Sequence, residues 1–177
     1  MNRLPFKVGC HTFDLNHLRS TMVLFEQPAA AAKPITRYTV QVRYSAHCFT
    51  VKPRDGERIP PELVYVENGE LRIFDAQRYE LSRSLPTIVQ SLMLRQCYHT
   101  GYTNCLTIEL IDGSGKPQPY EIYFRVARSS QGGILELFIE SGYIRVNARR
   151  DTMRRKPIRF SVVLYNTLHK RAIVRQQ

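Results

Sequence analysis

Apolar and polar positions change period several times along the chain, and those changes set out the predicted elements. Phe13, His17, Leu18, Met22 and Phe25 fall near helical spacing, with Thr12 or Asp14 available as cap, so the pattern predicts an amphipathic helix over residues 13–25. The run QPAAAAKP, residues 27–34, carries a proline near each end and reads as a connector. From residue 35 to 51 the period drops to two. Tyr38, Val40, Val42, Tyr44, Ala46 and Cys48 alternate with Thr39, Gln41, Arg43, Ser45 and His47, which predicts one half-buried strand.

Prolines and charges over residues 52–62 mark a loop. Residues 63–66 and 71–74 then flank Glu67-Asn68-Gly69, a hairpin signal because an Asn-Gly pair readily takes positive φ. Ser84 stands at the start of a helical pattern, Leu85, Ile88, Val89, Leu92 and Met93, with Pro86 admissible in the first turn. Three strands are expected at residues 106–111, 120–128 and 134–139. A last strand is expected at 158–164, with Ile158, Phe160, Val162 and Leu164 facing inward, and a closing helix at 165–173.

The sum is an α+β fold, an antiparallel sheet of about five to six strands with helices covering one face. Residues 1–34 form an N-terminal helix and connector, and residues 35–177 a single domain. A chain of 177 residues suits one buried core.

Composition narrows the setting. No stretch reaches the roughly 18 apolar residues of a membrane span, and the first residues have no apolar signal region. Four cysteines are too few for a disulfide scaffold at this length. A soluble, cytoplasmic protein is expected, without a membrane partner.

Charge adds a ligand class. There are 26 Lys plus Arg against 15 Asp plus Glu, a net of +11. Arg145, Arg149, Arg150, Arg154, Arg155, Lys156, Arg159, Lys170, Arg171 and Arg175 crowd the C-terminal part against one acid, Asp151. The planar guanidinium fork suits phosphate, so a nucleic acid, RNA rather than DNA, is the expected partner.

Read at period two, the polar strand positions put Arg43, Ser45 and His47 on one face with Thr107, Glu109, Glu121, Tyr123, Arg125, Glu136, Arg159 and Ser161. This is the inventory for metal-free RNA cleavage. His47 would act as base or acid, Arg43, Arg125 and Arg159 would hold phosphate, and Glu121 and Tyr123 would assist. The same residue types also make an ordinary solvated sheet face. Arg78, in Arg78-Tyr79-Glu80-Leu81-Ser82 just before the Ser84 helix, is a further candidate phosphate ligand, and Tyr98, Tyr102 and Tyr143 are candidates for base stacking. Cys10, Cys97, His99 and Cys105 are the best available metal-ligand set, but their spacing matches no zinc module, and no metal or cofactor is expected. Gly113-Ser114-Gly115-Lys116 lacks phosphate-loop spacing.

Three stretches, YSAHCFT at residues 44–50, RYELS at 78–82 with Leu85-Pro86, and LFIESGY at 137–143, resemble a group of uncharacterised bacterial proteins, some labelled stationary-phase growth adaptation proteins. The similarity spans most of residues 35–165 and implies a bacterial, mobile-element setting without implying an activity. In outline alone, helices plus a basic antiparallel sheet are similar to ribonuclease toxins of the barnase and RelE type. The reading is therefore an RNA-binding protein with the inventory of a metal-independent endoribonuclease. The alternatives are a non-catalytic nucleic-acid- or partner-binding accessory protein, and a homodimer formed through a sheet edge.

Overall fold

A computed structural model describes residues 3–29, 34–99, 104–111, 117–144 and 156–172; for 99, 104–111, 117 and 156 it describes the backbone alone. The chain opens with a small hairpin, β1 (Phe6–Val8) and β2 (His11–Phe13), turned at Gly9 with φ +57°. β3 (Thr21–Gln27) follows a short 3-10 turn, and β4 (Thr36–Tyr44) lies antiparallel beside it. The helix expected over residues 13–25 is therefore a turn and a strand. Within β3, Val23 and Phe25 face inward while Met22 and Leu24 face solvent. Thr21, Val23 and Phe25 are β-branched or aromatic, and sheet pairing with β4 overrides the weak helical spacing.

After β4 the chain does not continue as a strand. It closes a 3-10 turn at Ala46–Cys48 and adds only β5 (Thr50–Val51). β6 (Val64–Glu67) and β7 (Glu70–Phe74) form the expected hairpin, and both turn residues take positive φ, Asn68 at 53° and Gly69 at 81°. With β5 they make a three-stranded antiparallel sheet.

Two short helices follow, α1 (Ala76–Ser82) and α2 (Leu85–Gln90). The first was not anticipated: Asp75, not Ser84, supplies the capping side chain, accepting the Arg78 N–H at 2.7 Å. Ser84 instead donates its hydroxyl to the Leu81 carbonyl, closing the turn between the helices.

β8 (Gln96–His99), β9 (Asn104–Ile111), β10 (Pro117–Arg128), β11 (Ile134–Ile144) and β12 (Lys156–Arg159) complete the strands. The last helix, α3 (Phe160–Leu168), starts where a strand had been expected. Phe160, Val163 and Leu164 are buried at i, i+3 and i+4, while Val162 is 42% exposed, which fits a helix and not the inward alternation of residues 158–164.

The main sheet has seven strands in the order β12-β8-β9-β10-β11-β4-β3. It is mixed, not purely antiparallel as expected, because β11 runs parallel to β4 with Leu135 opposite Val40 and Leu137 opposite Val42. A parallel neighbour requires a long crossover, supplied here by the β5–β7 sheet, the helices and β8 to β10. Tyr38, Val40, Val42, Leu135, Leu137, Ile139, Tyr120, Ile122 and Phe124 line one face and pack against Leu85, Ile88, Val89 and Leu92 and against Phe160 and Leu164 of α3. The opposite phase of β4, β10 and β11 carries Arg43 and Arg125, both exposed, with half-buried Phe138, Tyr123 and Tyr143 and buried Glu121; this phase is termed the outward face. β3, which precedes the connector, belongs to this same sheet.

Candidate functional site

The outward face is organised around Phe138. On β11 the neighbours Leu137 and Ile139 are buried, so strand alternation turns the Phe138 ring outward. Register sets it opposite Arg43 of β4 on one side and Arg125 of β10 on the other. The Arg125 guanidinium carbon lies 5.0 Å from the ring centroid, within cation–π range, and its Nε is 3.6 Å from Glu140 Oε1. Arg43 is exposed and has no ion pair among the described residues. Two of the expected phosphate ligands, Arg43 and Arg125, thus flank one aromatic ring.

A β-bulge between Tyr123 and Phe124 separates this row from a tyrosine ladder further along the same strands. The Tyr123 and Tyr143 rings stack with centroids 5.8 Å apart and planes 14° from parallel. Glu121, opposite Tyr143 in register, is buried and accepts the Tyr123 hydroxyl at 2.6 Å. Burial, then the hydrogen bonds to Glu121 and Tyr143, push the Tyr123 hydroxyl above its ordinary range, so it stays protonated at neutral pH. That hydroxyl is suited to holding Glu121 in place and not to giving up its proton.

Arg78 closes the ladder, its guanidinium carbon 5.3 Å from the Tyr143 centroid. It does not stand free ahead of the Ser84 helix as the sequence suggested. Its Nη1 donates to the carbonyls of His47 at 3.1 Å and Thr50 at 3.0 Å, which braces the turn after β4. Burial lowers its pKa.

His47 sits in that turn, not on the polar face of a strand. Alternation from Tyr44 onward would have aligned it with Arg43, but Ser45 accepts the His47 N–H at 3.1 Å and nucleates the 3-10 turn instead. The imidazole faces β7, with Nε2 3.3 Å from Glu70 Oε2. Glu70 Oε1 accepts from Arg72 Nη1 at 2.6 Å, and buried Arg72 donates Nε to Thr50 Oγ1 at 2.6 Å, whose hydroxyl in turn bonds the Ala46 carbonyl. Arg72 and the exposed imidazole together hold the Glu70 carboxyl below the usual carboxylate range. Arg3 adds a third brace by donating Nη2 to the Tyr44 carbonyl at 2.6 Å.

The remaining expectations separate. Arg159 ends β12 and precedes α3 at the far edge of the sheet, three strands from β10, so it does not join Arg43 and Arg125. Arg145, Arg149, Arg150, Arg154 and Arg155 lie outside the described residues, and Lys156 is described in its backbone only. Of the metal set, Cys10 is exposed on the β1–β2 hairpin and Cys97 is buried on β8, while the side chains of His99 and Cys105 lie outside the described residues.

Sequence reasoning missed Phe138, Glu70 and Arg72. Phe138 had a legible signal, since it is a large aromatic in the polar phase of a strand whose other phase is Leu135, Leu137 and Ile139.

A mixed seven-stranded sheet with helices packed on its apolar face and arginines beside aromatic rings in its other phase describes an α/β protein. The chain belongs to the YjaZ family, whose profile matches residues 5–168. No curated protein and no solved structure matches it. Among the described residues no helix is long and apolar enough to cross a membrane.

Proposed function

We propose that this protein binds single-stranded nucleic acid, RNA in preference to DNA, across the outward face of its main sheet. The observation that carries the reading is Phe138 flanked by Arg43 and Arg125. Unstacked bases gain about 1–3 kcal/mol each by stacking on aromatic side chains, and guanidinium planes extend such a platform while their N–H edges meet phosphate. Single strands present both groups at once, whereas duplexes hide the base faces. The net charge of +11 supplies the long-range attraction.

The test is fluorescence anisotropy with a labelled single-stranded RNA over a range of salt. Binding should weaken linearly in log Kd against log[salt], with a slope of about 0.7 per phosphate contact, and unlabelled single-stranded RNA should compete better than DNA of the same sequence or duplex RNA. A flat salt response removes the reading.

A second reading, metal-independent RNA cleavage, rests on the His47–Glu70–Arg72 relay, because a carboxylate that orients an exposed imidazole is the usual partner of a general base. Incubation with total RNA with and without EDTA tests it. Cleavage should persist in EDTA and vanish in His47→Ala with RNA binding retained; intact RNA at every pH leaves the binding reading alone.

A further inference from the structure

The two edges of the main sheet differ in how they are guarded. β12 is four residues long and carries Lys156, Pro157 and Arg159, and charge, proline and shortness all discourage another strand from pairing there. β3 has no proline and is longer. It is seven residues long, TMVLFEQ, it pairs with β4 from Thr21 to Gln27 without a bulge, and among the described residues nothing pairs with its other side. Its solvent phase shows Met22 at 54% and Leu24 at 62% exposure. The one charge on the strand, Glu26, is already held by Arg37 Nε at 2.9 Å. A long edge with exposed apolar side chains, whose single charge is already paired, is a pairing surface.

We propose that β3 pairs antiparallel with β3 of a second copy of this chain, across a twofold axis at Leu24. The strand is self-complementary in that register. Leu24 meets Leu24, Val23 meets Phe25 so that the inner apolar row continues from one sheet into the next, Thr21 meets Gln27, and Met22 lies against the stem of Glu26. The cations of the other edge do not oppose it. Lys156 and Arg159 lie on the opposite edge, six strand spacings or roughly 29 Å from β3, so two copies joined at β3 hold these groups roughly 60 Å apart, far beyond the Debye length of about 8 Å.

A twofold axis perpendicular to the sheet turns both outward faces to the same side. The two Phe138 rows would then share one surface, five spacings or roughly 24 Å apart across the strands. Pairing at β3 requires no bound nucleic acid.

Sedimentation velocity of the full chain over a concentration series, together with cysteine cross-linking, tests the proposal. The chain should sediment as a dimer. Leu24→Lys should return it to a monomer with an unchanged circular dichroism spectrum and a thermal midpoint that no longer rises with protein concentration. In a Cys10→Ser, Cys105→Ser background, which removes the thiol exposed among the described residues and the one whose side chain lies outside them, Leu24→Cys should oxidise to a disulfide-linked dimer. Met22→Cys should not, because its twin sits four residues or roughly 13 Å away, whereas Met22→Cys with Glu26→Cys should cross-link twice. A monomer at every soluble concentration overturns the proposal, and so does a dimer that survives Leu24→Lys or in which Met22→Cys alone cross-links as readily as Leu24→Cys.

Discussion

Arg125 holds its guanidinium 5.0 Å from the centroid of the Phe138 ring. That contact exists because β10 and β11 run antiparallel with these two residues opposite one another, so both leave the sheet on the side away from the helices. Arg43 stands opposite Phe138 in register on the parallel neighbour β4. The arrangement depends on a crossover that joins distant segments, and it gives the outward face its combination of planarity and positive charge.

Arg43 and Phe138 should separate charge from stacking. Phe138→Ala should weaken single-stranded RNA binding by about 1–3 kcal/mol, roughly 5- to 150-fold, with the salt slope unchanged. Arg43→Ala should lower the slope by about 0.7 and leave the thermal midpoint where it was, since the side chain is exposed and has no ion pair among the described residues. Anisotropy titrations at several salt concentrations read both quantities.

Gly142 and Tyr120 should show opposite responses and then couple. A Cβ at Gly142 would collide with the Tyr120 hydroxyl and stand 2.9 Å from its Cζ, so Gly142→Ala should destabilise the fold by about 1–3 kcal/mol. The Tyr120 hydroxyl is buried with no hydrogen-bond partner among the described residues, and burial pushes its acidity well out of the ordinary range. Tyr120→Phe should therefore be neutral or stabilising by about 1 kcal/mol, and it should reduce the cost of Gly142→Ala. Urea denaturation of the two single variants and the double variant measures the coupling.

The same contrast between local pattern and distant pairing explains what was legible in the sequence. The Asn68-Gly69 hairpin, the strands around residues 120–128 and 134–139 and the helical face of Leu85, Ile88 and Val89 are local, and their residues state them directly. Residues 21–27 were misassigned because Phe13, His17, Leu18, Met22 and Phe25 fit a helical period, while only the partner strand β4 reveals the alternation. Residues 160–164 failed the other way, since Phe160, Val162 and Leu164 alternate in sequence yet α3 buries Phe160, Val163 and Leu164. Nothing local announces that β11 lies parallel to β4. Strand parity places Arg43, Arg125, Glu121 and Tyr123 in one phase of the sheet, as their registers show; His47 was misplaced because Ser45 ends the strand two residues before it.

His17 should make stability depend on pH near neutrality. Its Nε2 lies 2.8 Å from Ser82 Oγ, its ring packs edge-on against Tyr79, and burial holds its pKa below the ordinary 6.5, outweighing the pull of the Asp14 carbonyl and carboxylate. The unfolded chain takes up a proton near 6.5 that the folded chain resists. Stability from this group is therefore complete above about pH 6.5 and declines as the pH falls through the lower folded value. Urea midpoints for wild type should drop between about pH 7 and pH 5, and His17→Gln should flatten part of that drop. Equal pH slopes for the two proteins would assign the dependence to other groups.

The outward face is tested most directly by photo-cross-linking to single-stranded RNA carrying 4-thiouridine, followed by mass spectrometry of the adducts. Cross-links should concentrate on the outward phase of β10 and β11, at Phe138 and at Tyr123 or Tyr143, and should fall away in high salt and in Arg43→Ala with Arg125→Ala. Adducts confined to the helical side of the sheet, or spread over the surface without regard to these positions, would contradict the account.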